Sequence, residues 1–189
     1  MPRSVFPSAR TALLLVDTIN LFDFPGGGAF ARRCVPTARR IARLRMRAYR
    51  AGVPIVYVND NFGRWRSDFR TLVSVCSEPG RPGAAVAEIL KPGPADFFVL
   101  KPHLSGFHHT PLHMLLQGGG VQTVVVCGFA ADNCVLFTAA DAHMEDYRVV
   151  VPSDCVASEQ DKERRHVLAK MRKFLDARTT ASTRVRLRK

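Results

Sequence analysis

Acidic residues are scarce in this sequence. Sixteen Asp and Glu stand against 28 Lys and Arg in 189 residues, a formal net charge of +12. Long hydrophobic runs are missing too: no apolar stretch approaches the ~20 residues that span a bilayer. Met1-Pro2-Arg3-Ser4-Val5-Phe6 has neither the apolar core nor the small-residue cleavage site of a signal peptide. A cytoplasmic protein without a membrane partner is therefore expected. The five cysteines, Cys34, Cys76, Cys127, Cys134 and Cys155, are odd in number and include no C-x-x-C pair. That argues against a disulfide framework or a structural zinc site. No internal repeat or low-complexity tract appears, and no domain boundary stands out, so residues 1–189 are read as one domain.

So large a positive charge raises nucleic acid as a partner. The arginines crowd into Arg32–Arg50 and Arg184–Lys189. In the first stretch they alternate with Ile41, Leu44 and Ala48 at helical spacing, the pattern of a solvated helix face. No RNA-binding aromatic motif or zinc-finger spacing accompanies them, and a nucleic-acid partner is not expected.

What is present is an alternation of apolar runs with helical periodicity. Thr11–Val16, Val53–Val58, Phe97–Leu100, Thr123–Cys127 and Arg148–Val151 read as strands, and Thr183–Leu187 as a sixth at the sheet edge. Helices are expected over about Pro36–Ala51, Arg66–Cys76, Ala84–Leu90, Pro111–Gly118, Cys134–Asp146 and Ser158–Leu175, with Pro36 at the first helical position. The predicted fold is α/β: a three-layer, doubly wound sheet of about six mostly parallel strands, covered on both faces. Ligands of such folds bind beyond the carboxyl ends of the strands, where the strand order reverses.

The most informative segment is Val124-Val125-Val126-Cys127-Gly128-Phe129-Ala130-Ala131-Asp132-Asn133-Cys134-Val135. A buried strand runs through small and turn-forming residues to a cysteine where helical periodicity begins. There the unpaired N–H groups and the positive end of the helix dipole favour thiolate over thiol. The plainer reading of any single cysteine is a small buried residue. Two further reactive side chains close strands on the same sheet edge: Asp17 after the first and Lys101 after the third. Each is weak alone; their coincidence suggests a base, a cation and a nucleophile.

These segments resemble the isochorismatase-like cysteine hydrolases, the superfamily of nicotinamidases and N-carbamoylsarcosine amidohydrolases. The likeness runs through Leu14–Asn20, Leu100-Lys101-Pro102, Ser105-Gly106-Phe107, Gly128–Val135, Thr138–Ala142 and Val151–Cys155. It implies a catalytic triad of Asp17, Lys101 and Cys134. It also implies an oxyanion hole from the backbone N–H groups of Ala130 and Cys134, a cis peptide at Phe129–Ala130, and a homo-oligomer, dimer or tetramer. Such a triad suits attack of a thiolate on a carbonyl, with Lys101 stabilising the thiolate and Asp17 moving the proton.

Nicotinamidases hold a metal with an aspartate and several histidines after the second strand. Here that stretch reads Asn59-Asp60-Asn61-Phe62-Gly63-Arg64-Trp65-Arg66, without histidine. No metal or other cofactor is expected, and nicotinamide is an unfavoured substrate. The histidines gather instead at His103, His108, His109 and His113. His109 and His113 are four apart, but Pro111 fits a first helical turn and leaves His109 outside the helix; solvated or capping roles are the better reading. His103, two residues beyond Lys101, is a candidate for a substrate carboxylate, and Phe22, Trp65 and Phe107 for pocket walls. The expected activity is metal-independent cysteine hydrolysis of a C–N bond in a small amide or ureido compound through a thioester. Two rivals stand beside it: an isochorismatase-type vinyl ether hydrolase, and a non-catalytic scaffold or nucleic-acid-associated protein with an idle triad.

Overall fold

The computed structural model describes residues 6–62 and 68–189. Its central sheet is built from β1 (Thr11–Val16), β2 (Ile55–Asp60), β3 (Phe97–Lys101), β4 (Thr123–Phe129), β5 (Arg148–Val150) and β6 (Val156–Ala157). The order is β3-β2-β1-β4-β5, with β6 paired to β4, and every pairing is parallel. Parallel strands need crossovers, and the helices that supply them cover both faces.

Strand alternation divides the core in two. Leu13 and Leu15 of β1, with Val125, Cys127 and Phe129 of β4, face α1 (Gly27–Arg50), α2 (Phe69–Cys76) and α3 (Ala84–Ile89). Leu14, Val16, Val124 and Val126 face α4 (Leu112–Gly118), α5 (Cys134–Met144) and α6 (Asp161–Phe174). The apolar runs of β1, β2 and β4 are therefore strands buried on both sides, as the centre of a covered parallel sheet requires, while β3 and β5 at the edges are partly exposed. None of the helices among the described residues is long and apolar enough to cross a membrane.

Two expectations need correction. The first helix begins at Gly27, nine residues before Pro36, which lies inside it. Pro36 is on the exposed face, so the carbonyl that loses its partner is turned toward water; Phe30, Cys34, Ala38, Ile41 and Leu44 keep the buried stripe continuous. Residues 183–187 form no strand. Residues 182–184 make a 3₁₀ turn, and the backbone then crosses α1. Val185 is buried in the α1-side core and Leu187 packs against it, so their alternation with arginine reflects docking on a helix. The sixth strand is Val156–Ala157, too short to announce itself by periodicity.

The reversal of strand order lies between β1 and β4, and it requires close backbone approach there. Gly128 has φ +133° and faces Val16 so closely that a Cβ would collide with the Val16 carbonyl. Gly128→Ala is thus expected to lower unfolding free energy by about 2–4 kcal/mol in urea denaturation. A loss within a few tenths of a kcal/mol would contradict this packing.

Candidate active site

Three strand ends deliver the reactive groups. Asp17 is the first residue beyond β1. Its N–H donates to the Val58 carbonyl at 2.9 Å, and its φ of +47° lies in the left-handed region that aspartate tolerates. Lys101 ends β3, in register with Asp60 of β2. Cys134 opens α5 after the loop that leaves β4. The long lysine stem is what lets a group two strands away reach the reversal point.

The side chains meet there. Lys101 Nζ stands 2.9 Å from Asp17 Oδ2 and donates to Cys134 Sγ at 3.5 Å and to the His103 carbonyl at 3.1 Å. The Cys134 thiol and the Asp17 carboxylate are close enough for each to shift the proton affinity of the other. Asp17 Oδ1 accepts from the Asp60 N–H at 2.7 Å. Lys101 is fully buried, Asp17 nearly so, and Cys134 half-buried. A buried charge is tolerated only when paired, and this ammonium has a carboxylate, a carbonyl and a sulfur around it.

Burial dominates the proton affinities. It raises Asp17 above the ordinary carboxylate range, against the pull of the Lys101 ammonium. Burial opposes the charge on Lys101, but Asp17 and then Cys134 outweigh it, and its pKa is raised. Cys134 is pushed up to about 12, first by burial and then by the Asp17 carboxylate, with Lys101 pulling the other way. The resting sulfur is therefore a thiol. From the sequence, the helix terminus and Lys101 favour thiolate; burial first, and then the Asp17 carboxylate, push the sulfur the other way.

The Phe129–Ala130 peptide is cis. The Ala130 carbonyl accepts from the Asn133 and Val135 N–H groups, both at 3.2 Å, and the Ala131 N–H donates to the Ala157 carbonyl at 2.8 Å. Among the described residues, the Ala130 and Cys134 N–H groups have no acceptor. They are two open backbone donors, one on the residue that opens α5 and one in the loop before it.

The other candidates are spread more widely. Phe22 is buried against Phe30 and Phe129, with ring centroids at 5.7 and 6.3 Å, inside the α1-side core. Phe107 is buried in the opposite core against Tyr147, at 5.8 Å. Both rings are committed to packing. His103 reaches Lys101 through its backbone; its exposed ring meets His108 at 5.1 Å and His109 at 6.3 Å. His113, four residues from His109, turns away to pair with Glu145 at 3.2 Å. Trp65 lies outside the described residues.

Two residues escaped the sequence reading as members of this cluster. Asn59 is fully buried and donates to the Ile19 carbonyl at 2.7 Å, holding the turn after Asp17. Asp60 supports Asp17 through its N–H and stands 3.9 Å from Lys101 Nζ. Their signal was available: two polar residues closing an apolar strand at the edge where sites form. Asp60 also bears on the metal of nicotinamidases. Its Oδ1 accepts from the Phe62 N–H at 2.6 Å and its Oδ2 faces the Lys101 ammonium. No group of three potential metal-binding side chains converges among the described residues. The donor set does not fit that metal.

Comparisons with known proteins identify the family. Residues 11–182 match the model of the Isochorismatase domain, and the chain belongs to that family. It is 36% identical over 177 residues to the uncharacterized isochorismatase family protein YaaI of Bacillus subtilis, covering 94% of this chain and 97% of that one. It is 28% identical over 155 residues to a maleamate amidohydrolase of Pseudomonas putida, 78% of this chain and 72% of that one. The solved N-carbamoylsarcosine amidase of Thermoplasma acidophilum superposes with a TM-score of 0.71 at 30% identity, covering 93% and 98% of the two chains.

The balance of charges at Cys134 makes an unusual prediction for Asp17→Asn. Removing the carboxylate removes the charge that disfavours thiolate and leaves the Lys101 ammonium, so the Cys134 pKa falls. Alkylation of Cys134 by iodoacetamide at pH 7.5 should then accelerate at least about tenfold, the effect of one unit of pKa. Unchanged or slower alkylation would contradict this electrostatic account.

Proposed function

We propose that this protein is a cysteine amidohydrolase that cleaves the C–N bond of a small amide or ureido compound through a thioester, without a metal. The observation that carries the reading is the position of Lys101 Nζ, 2.9 Å from a buried carboxylate and 3.5 Å from a half-buried sulfur. Relatives named as maleamate amidohydrolase and N-carbamoylsarcosine amidase support an amide-type substrate.

In this reading Asp17 is the base. As Cys134 Sγ attacks the substrate carbonyl, the thiol proton passes to Asp17, and Lys101 holds the carboxylate and sulfur in place. The carbonyl oxygen becomes an anion facing the Ala130 and Cys134 N–H groups. One preorganised donor of this kind is worth about 3 kcal/mol of barrier. Collapse of the tetrahedral species expels the amine, which takes the proton from Asp17. Water then gives Asp17 its proton and attacks the thioester; the acid leaves and the sulfur is reprotonated. A nucleophilic sulfur favours this over vinyl ether hydrolysis, which is acid work and has no use for one.

Two measurements test the reading. A panel of small amides and ureido compounds assayed for ammonia release should give turnover that Cys134→Ala abolishes, with the melting temperature of the variant held. Retained turnover in that variant would end the proposal. The pH profile supplies the second. Asp17 must be ionised to accept the proton and its pKa is raised, so kcat/KM should fall on the acid side through an inflection above the usual carboxylate range. An acid limb near the ordinary value of 3.8 would remove Asp17 as the base.

A further inference from the structure

The net charge of the protein is confined to one surface. Helix α1 carries eight arginines and no acidic residue, and residues 182–189 carry four cations and again no acid. The other 16 basic residues of the chain balance all 16 acidic ones. The whole excess of +12 therefore belongs to these two segments, and the fold packs them together. Arg47 donates to the Ser182 carbonyl at 2.7 Å and to the Val185 carbonyl at 2.9 Å. Val185 is buried in the core beneath α1. A groove of about 580 Å³ runs between Arg47, Arg50, Ala51 and residues 185–188.

The cations are ordered along the helix. At 100° per residue, Arg32, Arg39, Arg43 and Arg50 fall within about 20° of a single line some 27 Å long. Arg33, Arg40 and Arg47 make a neighbouring line, and all seven are exposed. Arg184, Arg186, Arg188 and Lys189 are exposed beside the far end of α1. Of these twelve cations only Arg45 pairs with an acid among the described residues, at 2.5 Å from Asp96. Three acids share a cavity with Arg33 and Arg40 on the second line: Asp154 binds Ser182, Asp161 binds Arg164 and Arg165, and Glu159 makes no ion pair within 4.0 Å among the described residues. Read from the sequence alone, these arginines were a solvated face; the docking of residues 182–189 makes them one continuous field.

We propose that this surface binds the phosphate backbone of nucleic acid without reading its sequence. Eleven of the twelve cations are arginine, whose planar fork pairs with phosphate oxygens in two-pronged fashion. A straight line of about 27 Å matches roughly eight base pairs of duplex at 3.4 Å each.

The test is fluorescence anisotropy with a labelled 20-base-pair duplex of arbitrary sequence. Neutralising about five phosphates gives a slope near −4.5 in log K against log salt. Affinity should thus fall roughly 500-fold between 50 and 200 mM salt. Arg39→Glu/Arg43→Glu/Arg50→Glu should abolish binding at 50 mM salt while the melting temperature is kept. Lys162→Glu/Lys170→Glu/Lys173→Glu on α6, with the same change in net charge, should retain most of it. Equal loss in both triple variants would reduce the effect to bulk charge and overturn the proposal. So would absence of duplex binding at 50 mM salt, or sedimentation with phosphatidylserine vesicles in place of duplex binding.

Discussion

An ammonium sealed from water at the end of a parallel sheet is the constraint on which the site depends. Lys101 is fully buried, and a lone cation there would be prohibitively costly. Asp17, the His103 carbonyl and Cys134 must therefore all arrive at one point, from the ends of β1, β3 and β4. Each arrival has its own local device. Asp17 takes a left-handed backbone and accepts the Asp60 N–H; Asn59 ties down the turn behind it; Gly128 lets β4 approach Val16 without a side chain between them. Fold and site share these contacts, so the core strands carry the charges as well as the apolar weight.

The same ion pair sets the chemistry available. A cysteine at a helix start next to a lysine looks like a ready thiolate. Burial, and then the carboxylate on the other side of the lysine, reverse that balance and favour the proton on sulfur. In the proposed reaction this is useful, because one proton serves both steps: it leaves the thiol as the bond to carbon forms and is delivered to the departing amine. A permanent thiolate beside Asp17 would have no proton for the leaving group.

The strand-bearing half of the fold was legible because parallel strands buried on both faces leave uninterrupted apolar runs. Thr11–Val16 has the bounds read from its residues, and the two-faced core follows from alternation within it. What escaped was set by partners distant in sequence. Arg184, Val185, Arg186 and Leu187 alternate like a strand, but their apolar members pack on α1 and the Ser182 and Val185 carbonyls are taken by Arg47. Pro36 looks like a helix start because its missing N–H is tolerated on an exposed helix face as well as in a first turn. At the site, Asp17, Lys101 and Cys134 stood out by residue type and strand position. Phe22 and Phe107 did not sort themselves between wall and core, since an aromatic ring serves either. The direction of the Cys134 proton affinity needed the Asp17 contact, which no spacing along the chain reveals.

The central claim is that burial and the Asp17 carboxylate keep Cys134 a neutral thiol, with Lys101 holding sulfur and carboxylate together for the proton transfer. The most direct measurement is NMR titration of protein labelled with [3-¹³C]cysteine, the Cys134 resonance assigned by its loss in Cys134→Ala. The account predicts the thiol shift throughout pH 6–9, with movement toward thiolate in that range only when Asp17 is replaced by Asn. A Cys134 signal already at the thiolate position at pH 7 in the unaltered protein would contradict it.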